Sequence, residues 1–465
     1  MVATRDISAL EVILSERAAA VGPKLCHSPV CVECLAEVDL DSDLVTCSKC
    51  GLPFCSVTCR DSRTLHSAEC SLLAGCEPRL TKEDFHSNSG VLASVTAVRL
   101  LALRQDDPDL HHRVELLMDN LDRIQESPDW ATQEKCVQLL TQRCGANTLT
   151  AADIHRALGI FASNSCSLAG YRGRGLFPTF SLINHSCVRN ARHLVTSDER
   201  LMEVVAQRDI RAGEEINVRY TAGCLELDRR EQIRSQWYFD CGCVRCRDPT
   251  DCGTYCSAVR CAKCRRGLVL PQSDALWSCQ DCGQHYLPAH IDKVCNKLKL
   301  LLDKTPRKDP EKLENFLKIA AKFVHSNHCL LVEVKRTLLS LYGSTLSPSL
   351  IARKLELADE ILTVLDSLDP GLTSWRGQIL YDITRFRLMS SLQAVQAGTL
   401  SPSQCAAQLE ESAGHLEAAV MAITGERRQW GRTLRQRLSV LARTDILGGG
   451  YTMLLQTCLK MPFIK

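Results

Sequence analysis

The chain lacks an excess of charge of either sign, with 56 lysines and arginines against 54 aspartates and glutamates. That balance argues against a surface built to hold nucleic acid or an anionic membrane, so neither is expected as a partner. It also lacks any apolar run of roughly 18 residues, the length a membrane-spanning helix requires. Its opening, MVATRDISALEVILSER, sets Arg5, Asp6 and Glu11 inside the apolar stretch, unlike a secretory signal. A soluble protein inside the cell, cytoplasmic or nuclear, is the expectation. At 465 residues the chain exceeds what one core serves, and about two to four domains are expected.

What the chain has in abundance is cysteine, 27 residues in all, mostly as closely spaced pairs in the first 300 positions. In a long chain of intracellular type, thiols so arranged stay reduced and bind metal. Cys31-x2-Cys34, Cys47-x2-Cys50, Cys55-x3-Cys59 and His66-x3-Cys70 supply eight ligands. Structural zinc takes four, so two ions are implied. A Cys-x2-Cys turn brings two sulfurs to one metal, and the x3 spacing puts two ligands on one face of a helical turn. A segment this short and poor in apolar residues would not fold without metal.

Two further sites follow. Cys261-x2-Cys264 and Cys279-x2-Cys282-Gly283 form a ribbon pattern of two knuckles. Cys241-x-Cys243-x2-Cys246 gives three thiolates, one short of a closed site. Cys187, Cys224 and Cys252 all remain open as the fourth. Cys26, Cys252 and Cys256 lie close enough to zinc pairs to compete for metal. Cys136, Cys144, Cys166, Cys295, Cys329, Cys405 and Cys458 read as buried structural thiols. His325 and His328, at the end of an amphipathic helix, read as surface histidines.

Periodicity organises the rest. Residues 1–30 alternate as strands do, and residues 165–220 are glycine-punctuated and strand-like, with LMEVVA, the turn RDIRAGEE, then INVRY. Arg172-Gly173-Arg174-Gly175 reads as a turn. From about Gly90 to Ala162 the pattern is helical, with Leu110, Val114, Leu117, Met118, Leu121 and Ile124 on one face. Leu313, Phe316, Ile319, Ala320 and Phe323 mark a later helix. Breaks at Ser347-Pro348, Asp369-Pro370-Gly371 and Ser401-Pro402 separate others. One echo stands out: Val2-Ala3-Thr4-Arg5-Asp6-Ile7 with Glu11 matches Val205-Ala206-Gln207-Arg208-Asp209-Ile210 with Glu214. Both read as strand, polar turn, strand, and a chance likeness of two short hairpins is equally compatible.

Together these residues resemble a known family. The finger spacing is similar to the MYND type. Asn184-His185-Ser186-Cys187, after Gly175-Leu176-Phe177-Pro178, and Gly213-Glu214-Glu215-Ile216 leading to Tyr220, resemble the two signatures of SET domains. Cys241-x-Cys243-x2-Cys246 looks like a post-SET cluster. This is the plan of the SMYD protein-lysine methyltransferases, and Arg247-Asp248-Pro249-Thr250 with the extra ribbon resembles the arthropod SmydA type. The resemblance implies an α+β, multidomain fold. Its parts would be N-terminal SET strands (1–30), a MYND zinc finger (31–70), a helical insert (71–162) and core SET (163–240). A post-SET cluster with a zinc ribbon (241–300) and a C-terminal helical domain (301–465) would follow.

It further implies that Cys31, Cys34, Cys55 and Cys59 share one zinc while Cys47, Cys50, His66 and Cys70 hold another. Cys187 would complete the site of Cys241, Cys243 and Cys246, making about four Zn2+ in total. Asn164, Asn184 and His185 should contact S-adenosyl-L-methionine, with Tyr220 as the catalytic-site tyrosine beside a lysine channel. The implied partners are a protein substrate and peptides bound by the finger, and a monomer is expected. A lysine must lose its proton before accepting a methyl group, and an apolar aromatic channel favours that loss. Transfer itself needs positioning more than acid–base power.

The chain departs from the pattern in three places. Met1 stands where the family's glycine-rich cofactor loop would precede the first strand. Trp237, with Tyr238 next to it, occupies the register of a tyrosine usual four residues before the first post-SET cysteine. Gly448-Gly449-Gly450 and the residues after it do not continue the helical pattern. A catalytically silent SET-MYND zinc scaffold that recruits partner proteins in transcriptional regulation is therefore the alternative expectation.

Overall fold

The structure, a computed structural model, describes residues 1–23, 29–41, 44–62, 64–85, 90–168, 173–196, 200–225, 228–273, 275–342, 347–401 and 404. Cys26, Cys405, Cys458, Arg172 and the tail from Gly448 lie outside these residues.

Short strands build a mixed α+β centre. Val12–Arg17, Leu201–Ala206 and Ala191–Thr196 form an antiparallel sheet with Leu201–Ala206 in the middle, and Met202, Val204, Val205 and Ala206 are buried there. The apolar run LMEVVA thus becomes a central strand covered on both faces. A second sheet orders Ala20–Pro23, Gly173–Leu176 and Cys166–Ser167, again antiparallel. Residues 173–175 are therefore a strand and not the expected turn. Space explains it: a Cβ on Gly173 would stand 2.2 Å from Leu35 Cδ1, and one on Gly175 2.9 Å from Phe177 Cε2. The glycines let the strand lie against bulky neighbours.

The sequence echo is a local two-fold. Ile7 and Ile210 exchange backbone hydrogen bonds of 2.8 Å in both directions. Around that pair the contacts repeat in mirror order. Ala9 N–H donates to Asp209 (2.8 Å) as Ala212 N–H donates to Asp6 (2.8 Å). Arg5 pairs with Glu11 as Arg208 pairs with Glu214. The two copies satisfy each other's polar groups, which accounts for the likeness better than chance.

Residues 91–164 are largely helical. The Val91–Asp106 helix is buried continuously from Val91 to Leu101, against Ala20–Pro23 and the Ala151–Asn164 helix. A Cβ on Gly22 would come 1.9 Å from Thr96 Oγ1, so this strand and helix touch backbone to side chain. The single helical face expected over Leu110–Ile124 does not form. Pro108–Glu115 stops, Asn120 takes a positive φ of 49°, and Leu121–Ile124 is one further turn. Val114, Leu117 and Ile124 are buried, whereas Met118 is 69% exposed. Cys144 is bonded to Cys76, correcting its reading as a free thiol.

After the core, Val259–Arg260, Leu268–Ser273, Leu276–Cys279 and His285–Tyr286 form a four-stranded antiparallel sheet. Among the described residues five helices follow: Pro288–Asp303, Pro310–Ala320, Cys329–Leu341, Pro348–Leu368 and Ser374–Gln396. They share one core. Asp309 and Ser347 side chains accept from Lys312 N and Leu350 N, capping the second and fourth helices beside prolines that start them. Phe323 lies beyond its helix and is half exposed. His328 is fully buried, not on the surface. Its Nδ1 accepts from Leu330 N at 3.4 Å, so it caps the Cys329–Leu341 helix.

The break at Asp369-Pro370-Gly371 docks these helices on the β-rich centre. Asp369 accepts from Arg219 (2.8 Å) and Arg189 (3.2 Å), and Leu372 N–H donates to Gln207 O at 2.8 Å.

Candidate functional site

Among the described residues, thiols and one imidazole converge in four groups. Cys31, Cys34, Cys55 and Cys59 form one, and Cys47, Cys50, His66 and Cys70 a second. Cys187, Cys241, Cys243 and Cys246 form a third, and Cys261, Cys264, Cys279 and Cys282 a fourth. Within each, the ligand atoms lie within 4.8 Å of one another. Individual separations are 3.5 Å for Cys34–Cys55 and Cys55–Cys59, and 3.6 Å for Cys47–Cys70, Cys187–Cys246 and Cys261–Cys282. Sulfurs bound tetrahedrally to one zinc at 2.3 Å would sit about 3.8 Å apart, so the donor sets fit that ion. Cys224, Cys252 and Cys256 stand outside the third group, which resolves the open choice of its fourth member to Cys187.

The second group has a built surround. His66 Nε2 faces Cys50 Sγ at 3.4 Å, and His66 Nδ1 meets Glu69 at 3.2 Å. Glu69, fully buried, is held by Arg99 of the Val91–Asp106 helix. Arg99 also donates to Val21 O (3.0 Å) and Val32 O (2.7 Å). Burial pushes the Glu69 pKa up, but the bond to His66 and the Arg99 charge outweigh it and hold the carboxyl below its usual range. Glu33 accepts from the backbone of Thr64, Leu65 and His66. The His66 imidazole is thereby oriented by Glu69 and, through it, by Arg99 of the Val91–Asp106 helix.

Tyr220 follows the Asn217–Val218 strand, which runs parallel to Asn184–His185. Ser186 N–H donates to Val218 O (2.9 Å) and Tyr220 N–H to His185 Nδ1 (2.9 Å). Burial lowers the His185 pKa to about 4, so the ring is neutral and that nitrogen is free to accept. The Tyr220 hydroxyl donates to Ile183 O at 2.7 Å. Burial raises its pKa to about 12, with the Cys166 thiol adding to the shift, and the phenol keeps its proton at neutral pH. Its ring lies 5.4 Å from Trp237 and 6.4 Å from Phe239.

A cavity of about 790 Å3 opens at Tyr220, lined also by Asn164, Phe180, His193 and Trp237. Trp237 puts an indole in the register of the resemblance's tyrosine, and Tyr238 does not line the cavity. Asn164 ends its helix at the cavity wall, its Nδ2 donating to Ile160 O and Met118 O, both at 2.8 Å. Asn184 and His185 do not line this cavity. Asn184 is exposed and donates to Glu215 at 2.7 Å, while the His185 ring sits 6.3 Å from Phe239. The three expected cofactor contacts are therefore divided between two places. Phe239 escaped the sequence reading, and Glu215 entered it only within the Gly213-Glu214-Glu215-Ile216 signature, with no role of its own. Phe239's position two residues before Cys241, in the run Trp-Tyr-Phe-Asp-Cys, is the signal that marked it.

Comparison with known proteins agrees with this geometry. The SET domain model matches residues 1–221. The SET domain-containing protein SmydA-8, isoform A, of Drosophila melanogaster is 31% identical over 356 residues, covering 72% of this chain and 73% of that protein. The histone-lysine N-methyltransferase ASHR1 of Arabidopsis thaliana is 26% identical across 72% of this chain and 74% of its own length. The histone-lysine N-methyltransferase SMYD3 of Mus musculus is 27% identical across 47% and 51%. With a SET core, four zinc-type clusters and relatives of this coverage, the chain belongs to the SMYD family of SET-domain lysine methyltransferases, and is of the arthropod SmydA type.

Proposed function

We propose that the protein is an S-adenosyl-L-methionine-dependent protein-lysine N-methyltransferase. The observation that carries this reading is the Tyr220 hydroxyl, protonated and fixed on Ile183 O at the wall of an aromatic-lined cavity. There a substrate lysine would lie in the cavity against Tyr220 and Trp237, whose rings pack on one another at 5.4 Å. The aromatic part of the wall, Phe180, Tyr220 and Trp237, disfavours its ammonium, and the phenol oxygen can orient the neutral amine. The cofactor would lie at the edge formed by the exposed Asn184, Glu215 and Phe239, with the buried His185 ring behind it, its Nε2 3.4 Å from Cys187 Sγ. An amide, a carboxylate and an exposed aromatic face suit its amino-acid, ribose and adenine parts. When bound, it supplies a sulfonium methyl group. Asn164, with its amide donor committed to two carbonyls, would serve as part of the wall of the Tyr220 cavity.

In the same reading residues 31–70 are a MYND finger with two zinc ions, residues 71–162 the insert and residues 163–240 the core. Residues 241–300 hold two more ions, and the helices from 301 wall the substrate cleft. The finger would dock partner peptides, and its clustered thiols suit the reducing conditions of the cytoplasm or nucleus, which supports a location there.

A second reading, a catalytically silent scaffold, is favoured by Trp237, which removes one channel hydroxyl. Titration calorimetry with S-adenosyl-L-methionine on zinc-replete protein separates the two. Saturable heat that Asn184→Ala abolishes supports the enzyme. No heat at millimolar cofactor would sink it for this chain.

A further inference from the structure

A second cavity, about 610 Å3, lies between the β-rich centre and the C-terminal helices. Five cationic side chains line it against three carboxylates: Arg189, Arg192, Arg219, Lys299 and Arg336 face Asp228, Glu333 and Asp369. The excess is greatest at depth. Arg192 and Arg219 are each 5% exposed, and Asp369 is the carboxylate that both Arg219 (2.8 Å) and Arg189 (3.2 Å) share. Arg219 Nε and Trp375 Nε1 are buried N–H donors without an acceptor among the described residues, and both residues line the cavity. Buried cations and donors are costly unless a partner satisfies them. The partner that fits guanidinium and indole N–H donors is a carboxylate, whose two oxygens match the guanidinium fork.

This cavity meets the one at Tyr220. His193 and Ala222 line both, so the two spaces adjoin at those residues. Burial lowers the His193 pKa to about 4, and Arg189 adds to the effect, leaving a neutral ring packed on Phe180 at 4.9 Å between them. A chain whose lysine occupies the first cavity therefore has its flanking residues led toward the second.

We propose that the cavity of Arg189, Arg192, Arg219, Lys299 and Arg336 is a subsite for aspartate or glutamate side chains flanking the target lysine, so that the protein selects acidic peptides. The occupant's identity as substrate rests on the methyltransferase reading; the charge preference of the cavity does not.

The test measures binding and needs no turnover. Fluorescein-labelled lysine peptides with aspartate and glutamate flanks are compared by anisotropy with the same peptides carrying asparagine and glutamine. The proteins are the full chain and the double variant Lys299→Glu/Arg336→Glu, whose two sites are exposed and, among the described residues, make no hydrogen bond or ion pair, Arg336 only stacking over Trp375 at 5.8 Å. Lys299→Gln/Arg336→Gln is the milder control. The wild type should bind the acidic peptides roughly tenfold more tightly, and the charge-reversed variant should lose or invert that preference. Equal binding of both peptides by the wild type overturns the proposal, as does a preference that survives in both variants. An acidic preference in a protein that transfers no methyl group would leave the subsite standing and remove only the catalytic reading.

Discussion

Replacing Glu69 with alanine is the sharpest probe of how the finger is tied to the rest of the molecule. Glu69 is fully buried between His66 and Arg99, which is itself 7% exposed. Its loss strands a buried guanidinium that keeps only carbonyl partners, Val21 O at 3.0 Å and Val32 O at 2.7 Å. Breaking a buried pair from one side costs about 3–5 kcal/mol. That is a large share of the roughly 5–15 kcal/mol that holds a domain folded. Separately, losing the group that orients a histidine ligand weakens metal affinity about 10–100-fold. Chelator competition on Glu69→Ala should therefore release one zinc early while the others leave at the wild-type rate, and the urea midpoint should fall. The double variant Glu69→Ala/Arg99→Met removes both charges and should recover part of the stability but not the zinc affinity. Wild-type zinc release and an unchanged midpoint in Glu69→Ala would refute the reasoning.

Cys47→Ser should unfold the finger and leave the ribbon zinc of Cys261, Cys264, Cys279 and Cys282 in place, read as zinc stoichiometry per chain; loss of every ion would mean the sites are not independent. Gly371→Ala should loosen the joint between helices and core, because Gly371 holds φ at +89° and a Cβ there would stand 2.4 Å from Gln207 O. A loss of about 1–3 kcal/mol is expected by thermal unfolding. His328 should make stability fall in mild acid: burial lowers its pKa to about 4, with His325 and Lys299 adding to the effect over Asp251. A folded pKa below the unfolded value of about 6.5 gives stability that is full above pH ~6.5 and declines toward pH ~4, by up to about 3 kcal/mol. Denaturation of His328→Asn against wild type across that range should show the difference narrowing as pH falls.

The metal-ligand pairs were legible because zinc demands soft ligands at short, fixed spacing, a constraint written locally in Cys-x2-Cys and Cys-x3-Cys. Cys187 was not legible from spacing alone, since tertiary structure carries it across to Cys241, Cys243 and Cys246; the resemblance named it. Strand residues 201–206 declared themselves by composition. Residues 173–175 did not, because glycines that serve as turn formers elsewhere here make room for Leu35 and Phe177. His328 was misplaced because polarity suggests a surface residue, whereas capping and burial are set by the ribbon and helices that enclose it. Phe239 went unremarked because its role appears only once the Asn184–His185 and Asn217–Val218 strands lie side by side. The pairing of Ile7 with Ile210 shows the converse: a likeness too short to trust in sequence becomes a symmetric contact once folded.

The most direct measurement is mass spectrometry of lysine-containing peptides and proteins incubated with zinc-replete protein and S-adenosyl-L-methionine, run beside Tyr220→Phe. The account predicts a methyl group on a lysine side chain with the wild type and a loss of about 10²-fold or more in rate with Tyr220→Phe, whose zinc content stays intact. Methylation at an undiminished rate by Tyr220→Phe, or none by the wild type while it binds the cofactor, would contradict it.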